Sequence, residues 1–248
     1  MLTKNVADGV HLLQNAYVNC YLIEDEDGLT LVDTGLPAMW GTIEGALEDL
    51  GRTTFDLSAI VLTHAHFDHV GCAARARQEL QASIWAHPAE HYLAEHPYRY
   101  RHEKSRLRYP FRYPRGLRIL TAMARAGALR VQGVTDLRSL QEGSVLEVPG
   151  RPRVIYTPGH TEGHCALHLA DRGTVLTGDA LVTLDPYTGY TGPQVIAGAA
   201  TASTPQALAS LKVLAATQAE LVLPGHGDPW TGGIQAAVDH ALTHHHNE

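Results

Sequence analysis

Hydrophobic residues come in short runs rather than in long helical stripes over the first third of the chain. Residues 10–13 are apolar at three of four positions, and residues 17–24 alternate toward the turn Asp25-Glu26-Asp27-Gly28. Residues 29–32 then form a third run, closed by Asp33-Thr34-Gly35. Short runs bounded by turn residues predict a meander of strands. Residues 42–50 change period: Ile43, Ala46, Leu47 and Leu50 fall at helical spacing and Gly51 supplies a stop. A strand over 59–62, a polar loop, a helix over 71–80 and a strand over 83–86 follow. Beyond residue 134 the rhythm returns, with strands expected at 144–148, 153–157, 166–170 and 174–176, a helix at 205–215, a strand at 220–223 and a helical tail over 234–246. Strands and helices thus recur in two similar halves, which predicts a layered α/β sandwich with helices outside. His244-His245-His246 is read as a solvated end.

Between the halves the pattern breaks. Residues 96–133 are rich in arginine and tyrosine and read as a basic helical insertion. Three roles fit it: a surface hairpin with solvated arginines and inward tyrosines, a cap holding an anionic or amphipathic substrate, or a patch for nucleic acid or a membrane face.

The length of 248 residues suits one large domain spanning 1–248. A net charge of −7 and a pI near 6.1 give no overall attraction to nucleic acid. No stretch is long and apolar enough to span a membrane and the N-terminus lacks a signal pattern, so a cytoplasmic location is expected. Cys20, Cys72 and Cys165 are odd in number and far apart, which predicts small buried residues and no disulfides.

The candidate chemistry sits where the predicted strands end. Thr63-His64-Ala65-His66-Phe67-Asp68-His69 puts four metal-binding side chains on one loop, spaced to serve two adjacent ions. Packing three imidazoles and a carboxylate so closely without a shared ligand would be costly. His160, Asp179 and His226 each follow a further apolar run.

His-x-His-x-Asp-His, followed in order by Pro-Gly-His-Thr (158–161), Thr-Gly-Asp (177–179) and Pro-Gly-His-Gly (224–227), resembles the signature of the metallo-β-lactamase-fold hydrolases. The resemblance runs from Asp33 to His226, with the basic insertion as its variable part. It implies a four-layer αββα sandwich. It also implies one divalent ion on His64, His66 and His160, a second on Asp68, His69 and His226, and Asp179 as the bridge. Zinc is the first expectation for the metal, with iron, manganese and nickel as alternatives. Asp68 and Asp179 are the implied catalytic carboxylates, serving a hydroxide nucleophile shared by the two ions. Asp33 is implied to support the histidine loop without binding metal, and His164 to be structural. His87, His91, His96, His102 and His168 have no motif partner.

Departures from the pattern narrow the expectation. Asp179 stands where true β-lactamases of this fold lack a bridging aspartate, and His66 where diiron flavoprotein oxygen reductases carry glutamate. Ala180 to Tyr190 replaces the Cys-Gly-Arg or Gly-Arg segment of glyoxalase II-type thioesterases and persulfide dioxygenases. What remains is a hydrolase of small-molecule esters, lactones or thioesters, and the resemblance to lactonases of this fold, where a tyrosine beyond the bridging aspartate assists the carbonyl oxygen, implies that place for Tyr187 or Tyr190. A phosphodiesterase or RNA-processing nuclease, and a non-catalytic metal-binding protein, are the alternatives. The expected partner is a small molecule, not nucleic acid, and a homodimer is left open.

Overall fold

The protein was analysed as a computed structural model, in which residues 1–80 and 82–243 are described. The first sheet has seven strands in sequential order: β1 (Leu2–Ala7), β2 (Val10–Asn15), β3 (Val18–Asp25), β4 (Gly28–Val32), β5 (Leu57–Val61), β6 (Ser83–Ala86) and β7 (Arg138–Ser139). β1 to β4 pair antiparallel, whereas β4 to β7 pair parallel. Parallel neighbours need crossovers. Helices α1 (Met39–Asp49) and α2 (Ala73–Glu79) supply the first two, and the third carries α3 (His91–Glu95) followed by the insertion with α4 (Tyr109–Arg112) and α5 (Pro114–Arg125). The second sheet joins β8 (Arg153–Tyr156), β9 (Cys165–Leu169) and β10 (Thr174–Gly178) to a last strand. That strand follows the hairpin β11 (Val182–Leu184) and β12 (Thr191–Gln194) and helix α6 (Thr204–Ala215), and is β13 (Leu221–Pro224). Helix α7 (Ile234–Thr243) ends the described chain.

Residue alternation sets the layers. Along β3, Cys20 and Leu22 face α1, packing with Met39, Ile43 and Leu47, while Tyr21 and Ile23 face the second sheet, packing with Val154, Leu167 and Leu176. Along β10 and β13, Leu176 and Leu223 enter that inter-sheet core, whereas Val175 and Val222 meet Leu211 and Leu214 of α6 and Val238 of α7. Period-two alternation with both faces apolar produces helix–sheet–sheet–helix, the expected αββα sandwich. Covered on both sides, these strands read as nearly continuous apolar runs.

The structure departs from the sequence reading at four places, one of them β7, a two-residue exposed strand with no apolar signal. β1 is an additional strand, hidden in the sequence because it is a half-exposed edge in which Thr3, Lys4 and Asn5 break any apolar run. The segment 144–148 is not a strand; its one ladder contact is the bridge Val145 to Arg153, and Gly143 and Gly150, both at positive φ, turn the chain on either side. The hairpin of β11 and β12 is also additional, masked by Gly192 and Pro193 within Thr191–Gln194. The helical tail is present as far as Thr243, and the 244–246 histidines lie outside the described residues.

The insertion packs by one face of α5. Ile119, Met123 and Ala126 are buried against Val18 and Leu36, while Arg115, Arg118 and Arg125 are exposed. Gly116 is required here: a Cβ would collide with the carbonyl oxygen of Tyr187. Tyr98 closes the base of the insertion, its hydroxyl donating to Ala128 O (2.9 Å) and accepting from Val131 N (2.8 Å).

Candidate metal centre

Every expected ligand follows the C-terminal end of a strand. His64, His66, Asp68 and His69 follow β5; His160 follows β8, Asp179 follows β10 and His226 follows β13. The β5 loop curls back on itself because the amides of His69 and Val70 both donate to His66 O (2.9 and 3.1 Å). Thr34 then clasps it, donating through both amide and hydroxyl to His69 O (2.8 and 2.9 Å). The two sheets meet where Cys165 N donates to Thr63 O (2.8 Å). The His226 loop is anchored to the first sheet by Asn19 Nδ2, which donates to Pro224 O (2.9 Å) and Gly227 O (2.7 Å), and by the Tyr21 hydroxyl on Pro224 O (2.8 Å).

The seven side chains converge, all of them buried. Their donor atoms form three groups able to hold an ion: His64, His66 and His160; His64, His69 and Asp179; Asp68, His69 and His226. Around Asp179 the Nε2 atoms of His226, His160, His69 and His64 lie at 3.3, 3.4, 3.5 and 3.8 Å, and His226 Nε2 is 3.4 Å from Asp68 Oδ2.

Outer hydrogen bonds determine which imidazole nitrogen faces the centre. His69 Nδ1–H donates to Asp33 Oδ2 (2.9 Å) and His226 Nδ1–H to Tyr17 O (2.7 Å). The Thr63 hydroxyl directs its proton to Asp33 Oδ2 (2.8 Å), so at 3.1 Å it accepts from His64 Nδ1–H. Thr201 does the same for His160 (3.4 Å), its own proton going to Ile196 O (2.7 Å). With Nδ1 so committed, all four rings turn Nε2 inward, the nitrogen that offers a lone pair to a metal once the ring is neutral. His66 instead presents Nδ1, 2.9 Å from His160 Nε2, where a cation would satisfy both nitrogens. His64 Nε2, His69 Nε2 and Asp179 Oδ1 are buried with no hydrogen-bond partner. Buried polar atoms are rarely left this way, and this nitrogen and carboxylate set suits divalent transition metals.

The protonation pattern is split. Burial lowers His64 and His66 well below the usual range for histidine, and His160 to about 4. Burial would lower His69 and His226 too, but Asp179, with Asp33 at the first and Asp68 at the second, outweighs it; His69 is raised and His226 is pushed up to about 10. Burial would raise Asp179, but His226 and His69 outweigh it and hold the carboxyl well below the usual range. Burial takes His164 down to about 3, so it stays neutral, accepts from Asp179 N (3.0 Å) and fixes the backbone that carries Asp179.

Over the centre lies a small cavity, lined by His66, Asp68, His160, Asp179 and His226 together with Tyr100, Leu120, Met123, Tyr187 and Ile196. Tyr187 reaches it. Tyr190 does not: it is 44 % exposed and packs on Tyr113, because Asp185 folds the intervening loop outward by accepting from Tyr187 N (2.8 Å) and Ala197 N (3.0 Å). Tyr100, from the insertion, is a site residue that sequence reasoning misses. Its ring lies 4.0 Å from that of His66, Arg106 covers it at 4.2 Å, and its hydroxyl is 3.3 Å from that of Tyr187. Glu90 is missed as well; fully buried, it accepts from Ala65 N (2.8 Å) and Gly163 N (2.7 Å) and so ties the β5 loop to the β8 loop.

A four-layer sandwich carrying buried histidines and aspartates at its strand ends defines a class of metalloproteins. The chain belongs to the metallo-beta-lactamase superfamily, whose family profile matches residues 14–226. It is 30 % identical over 239 residues to a probable metallo-hydrolase, YflN, of Bacillus subtilis, covering 91 % of this chain and 86 % of that one. Among solved structures it is similar to a metallo-beta-lactamase family protein of Thermus thermophilus, with TM-score 0.70, 30 % identity and coverage of 96 % and 79 %. It is also similar to TTHA1623 in a di-iron-bound form, with TM-score 0.62, 29 % identity and coverage of 91 % and 95 %. Among the described residues no helix is long and apolar enough to cross a membrane.

Proposed function

We propose that the protein is a metal-dependent hydrolase of small-molecule esters, lactones or thioesters, acting in the cytoplasm with two divalent ions, zinc first among them. One observation carries the reading: four imidazoles are locked by outer hydrogen bonds with Nε2 turned toward a buried carboxylate, and two of those nitrogens have no hydrogen-bond partner. His64, His66 and His160 would hold one ion and Asp68, His69 and His226 the other, with Asp179 reaching both. Such a pair supplies a nucleophile at neutral pH and polarises the carbonyl under attack.

The chain's own side chains do the rest. Asp68 lines the cavity and sits 3.4 Å from His226, placed to receive the proton shed by the attacking water. Between the hydroxyls of Tyr100 and Tyr187 one proton makes the mutual hydrogen bond and the second is left to meet the carbonyl oxygen as negative charge develops there. Burial raises the pKa of both tyrosines, so they remain donors. Leu120, Met123 and Ile196 give an apolar wall for the non-reacting part of the substrate and make the insertion a cap.

The test is a hydrolysis screen over ester, lactone, thioester, β-lactam and phosphodiester substrates, with metal-depleted protein and Asp179→Ala as controls. Turnover of an ester-type bond that disappears in both controls is expected. Turnover confined to phosphodiesters, or retained by Asp179→Ala, would overturn the proposal.

A further inference from the structure

Residues 96–133 hold ten of the nineteen Lys and Arg residues and one of the twenty-six Asp and Glu residues, which gives this segment a net +9 against −16 for the rest of the chain. A solvated helical hairpin needs no such segregation, and internal pairing does not consume it. Arg101 pairs with Glu162, and Arg106 is taken up by the Tyr100 ring and Ala199 O. Among the described residues Arg115, Arg118, Arg125 and Arg130 have no carboxylate within ion-pair distance.

Large apolar side chains stand exposed in the same segment. Phe111 is 90 % exposed, Leu107 81 % and Leu117 47 %. Leu107 and Phe111 are four residues apart across one continuous helical turn, 106–108 running into α4, so they share a side. Leu117 is followed by Arg118 on the outer face of α5, whose inner face is already occupied by Ile119 and Met123.

We infer that the outer surface of the insertion docks on an anionic lipid bilayer, Phe111 and Leu107 entering the acyl boundary while the arginines meet the headgroups. Amphipathic segments bind membranes by this combination of buried apolar area and cationic charge. Each basic residue near such a surface raises partitioning by a factor of about five. A phosphate-backbone partner would use the arginines but gain nothing from exposed leucines, so the combination favours lipid over nucleic acid. Docking also bears on access. Leu120 and Met123, on the inner face of the same helix, line the cavity over the metal centre, so a docked molecule holds that cavity beside the bilayer and can draw amphipathic substrates from it.

Co-sedimentation of the full chain with vesicles of phosphatidylcholine, alone or with an equal amount of phosphatidylserine, tests the inference without any assay of hydrolysis. Partitioning at least about tenfold stronger to the anionic vesicles, weakening with salt, is expected. Leu107→Ser/Phe111→Ser should lower it by about tenfold or more, and Arg115→Gln/Arg118→Gln by up to about 25-fold. All four side chains are exposed, so Tm should stay near the parent value. Equal partitioning to both vesicle types overturns the inference. So does salt-sensitive binding to single-stranded RNA that only the arginine variant loses, or a dimer in solution that the Leu107/Phe111 variant dissociates in the absence of vesicle binding.

Discussion

Replacing Asp33 by asparagine exchanges one oxygen for an amide nitrogen and, on the structure, reverses the protons on two metal-facing histidines. Asp33 sits at φ 58°, a left-handed conformation that asparagine adopts readily, so the backbone is undisturbed. Oδ1 accepts from Thr63 N (2.8 Å), and Oδ2 accepts from both the Thr63 hydroxyl (2.8 Å) and His69 Nδ1–H (2.9 Å). In the Asp33→Asn variant the side-chain oxygen keeps the first of these bonds, and an NH2 group points at the other two partners. His69 must then give up its Nδ1 proton and carry it on Nε2. The Thr63 hydroxyl, now accepting from the amide, turns its proton to His64 Nδ1, which moves the His64 proton to Nε2 as well. Both inward lone pairs are lost. Loss of one such supporting contact typically lowers metal affinity by about 10- to 100-fold, or roughly 1.4 to 2.8 kcal/mol, and two ligands are affected here. Competition against a chromophoric chelator reads the affinity, and 15N spectra of the imidazoles read the tautomers directly. Metal affinity within about twofold of the parent, with His69 still protonated on Nδ1, would refute the reasoning.

Metal uptake should release protons: the metal-free protein holds a proton on His226, pushed up to about 10, and on the raised His69, so affinity should climb as pH rises toward 10; titration calorimetry in buffers of different ionisation enthalpy checks this, and a proton-neutral uptake at pH 8 would contradict it. Glu90 is a carboxyl raised by burial, so its contribution to stability is complete below the ordinary value of 4.5 and is lost as pH climbs through the raised folded value. Glu90→Gln should cost about 1–3 kcal/mol in acid, through the donor it turns on Ala65 N or Gly163 N, and the deficit should shrink above pH 4.5 in urea melts; a deficit that grows with pH would oppose this. Tyr187→Phe should lower kcat by about 10²-fold with metal content unchanged, and Tyr100→Phe by less; an unchanged kcat in Tyr187→Phe would remove the donor role.

The sandwich is legible in the sequence because its central strands β2 to β5, β9, β10 and β13 are covered on both faces, leaving short apolar runs that end in turn residues. All seven expected ligands meet, since each belongs to a motif that terminates such a run. What escapes are side chains that act across the chain without a local pattern. Asn19 and Tyr21 are polar positions inside an apolar strand, the one sequence signal that points to them. Glu90 and Thr201 show nothing locally, since their partners lie at sequence separations of 25 to 73 and 41 residues. Tyr100 is one of five tyrosines between residues 92 and 113, and only the folding of the insertion over His66 distinguishes it. Tyr187 and Tyr190 are three residues apart, and the turn made by Asp185 sends just one of them inward.

Each of the three ligand groups draws side chains from both sheets: His64 and His66 with His160, His64 and His69 with Asp179, Asp68 and His69 with His226. An ion in any of them is therefore a cross-link between halves of the molecule, closing loops of 94 residues or more between ligands from opposite sheets. The restraint resembles that of a disulfide, yet a chelator can withdraw it. Neither half owns a complete site, so separating the sheets dismantles the reaction centre together with the fold, and the metal supply of the cell becomes a control on how much folded protein persists.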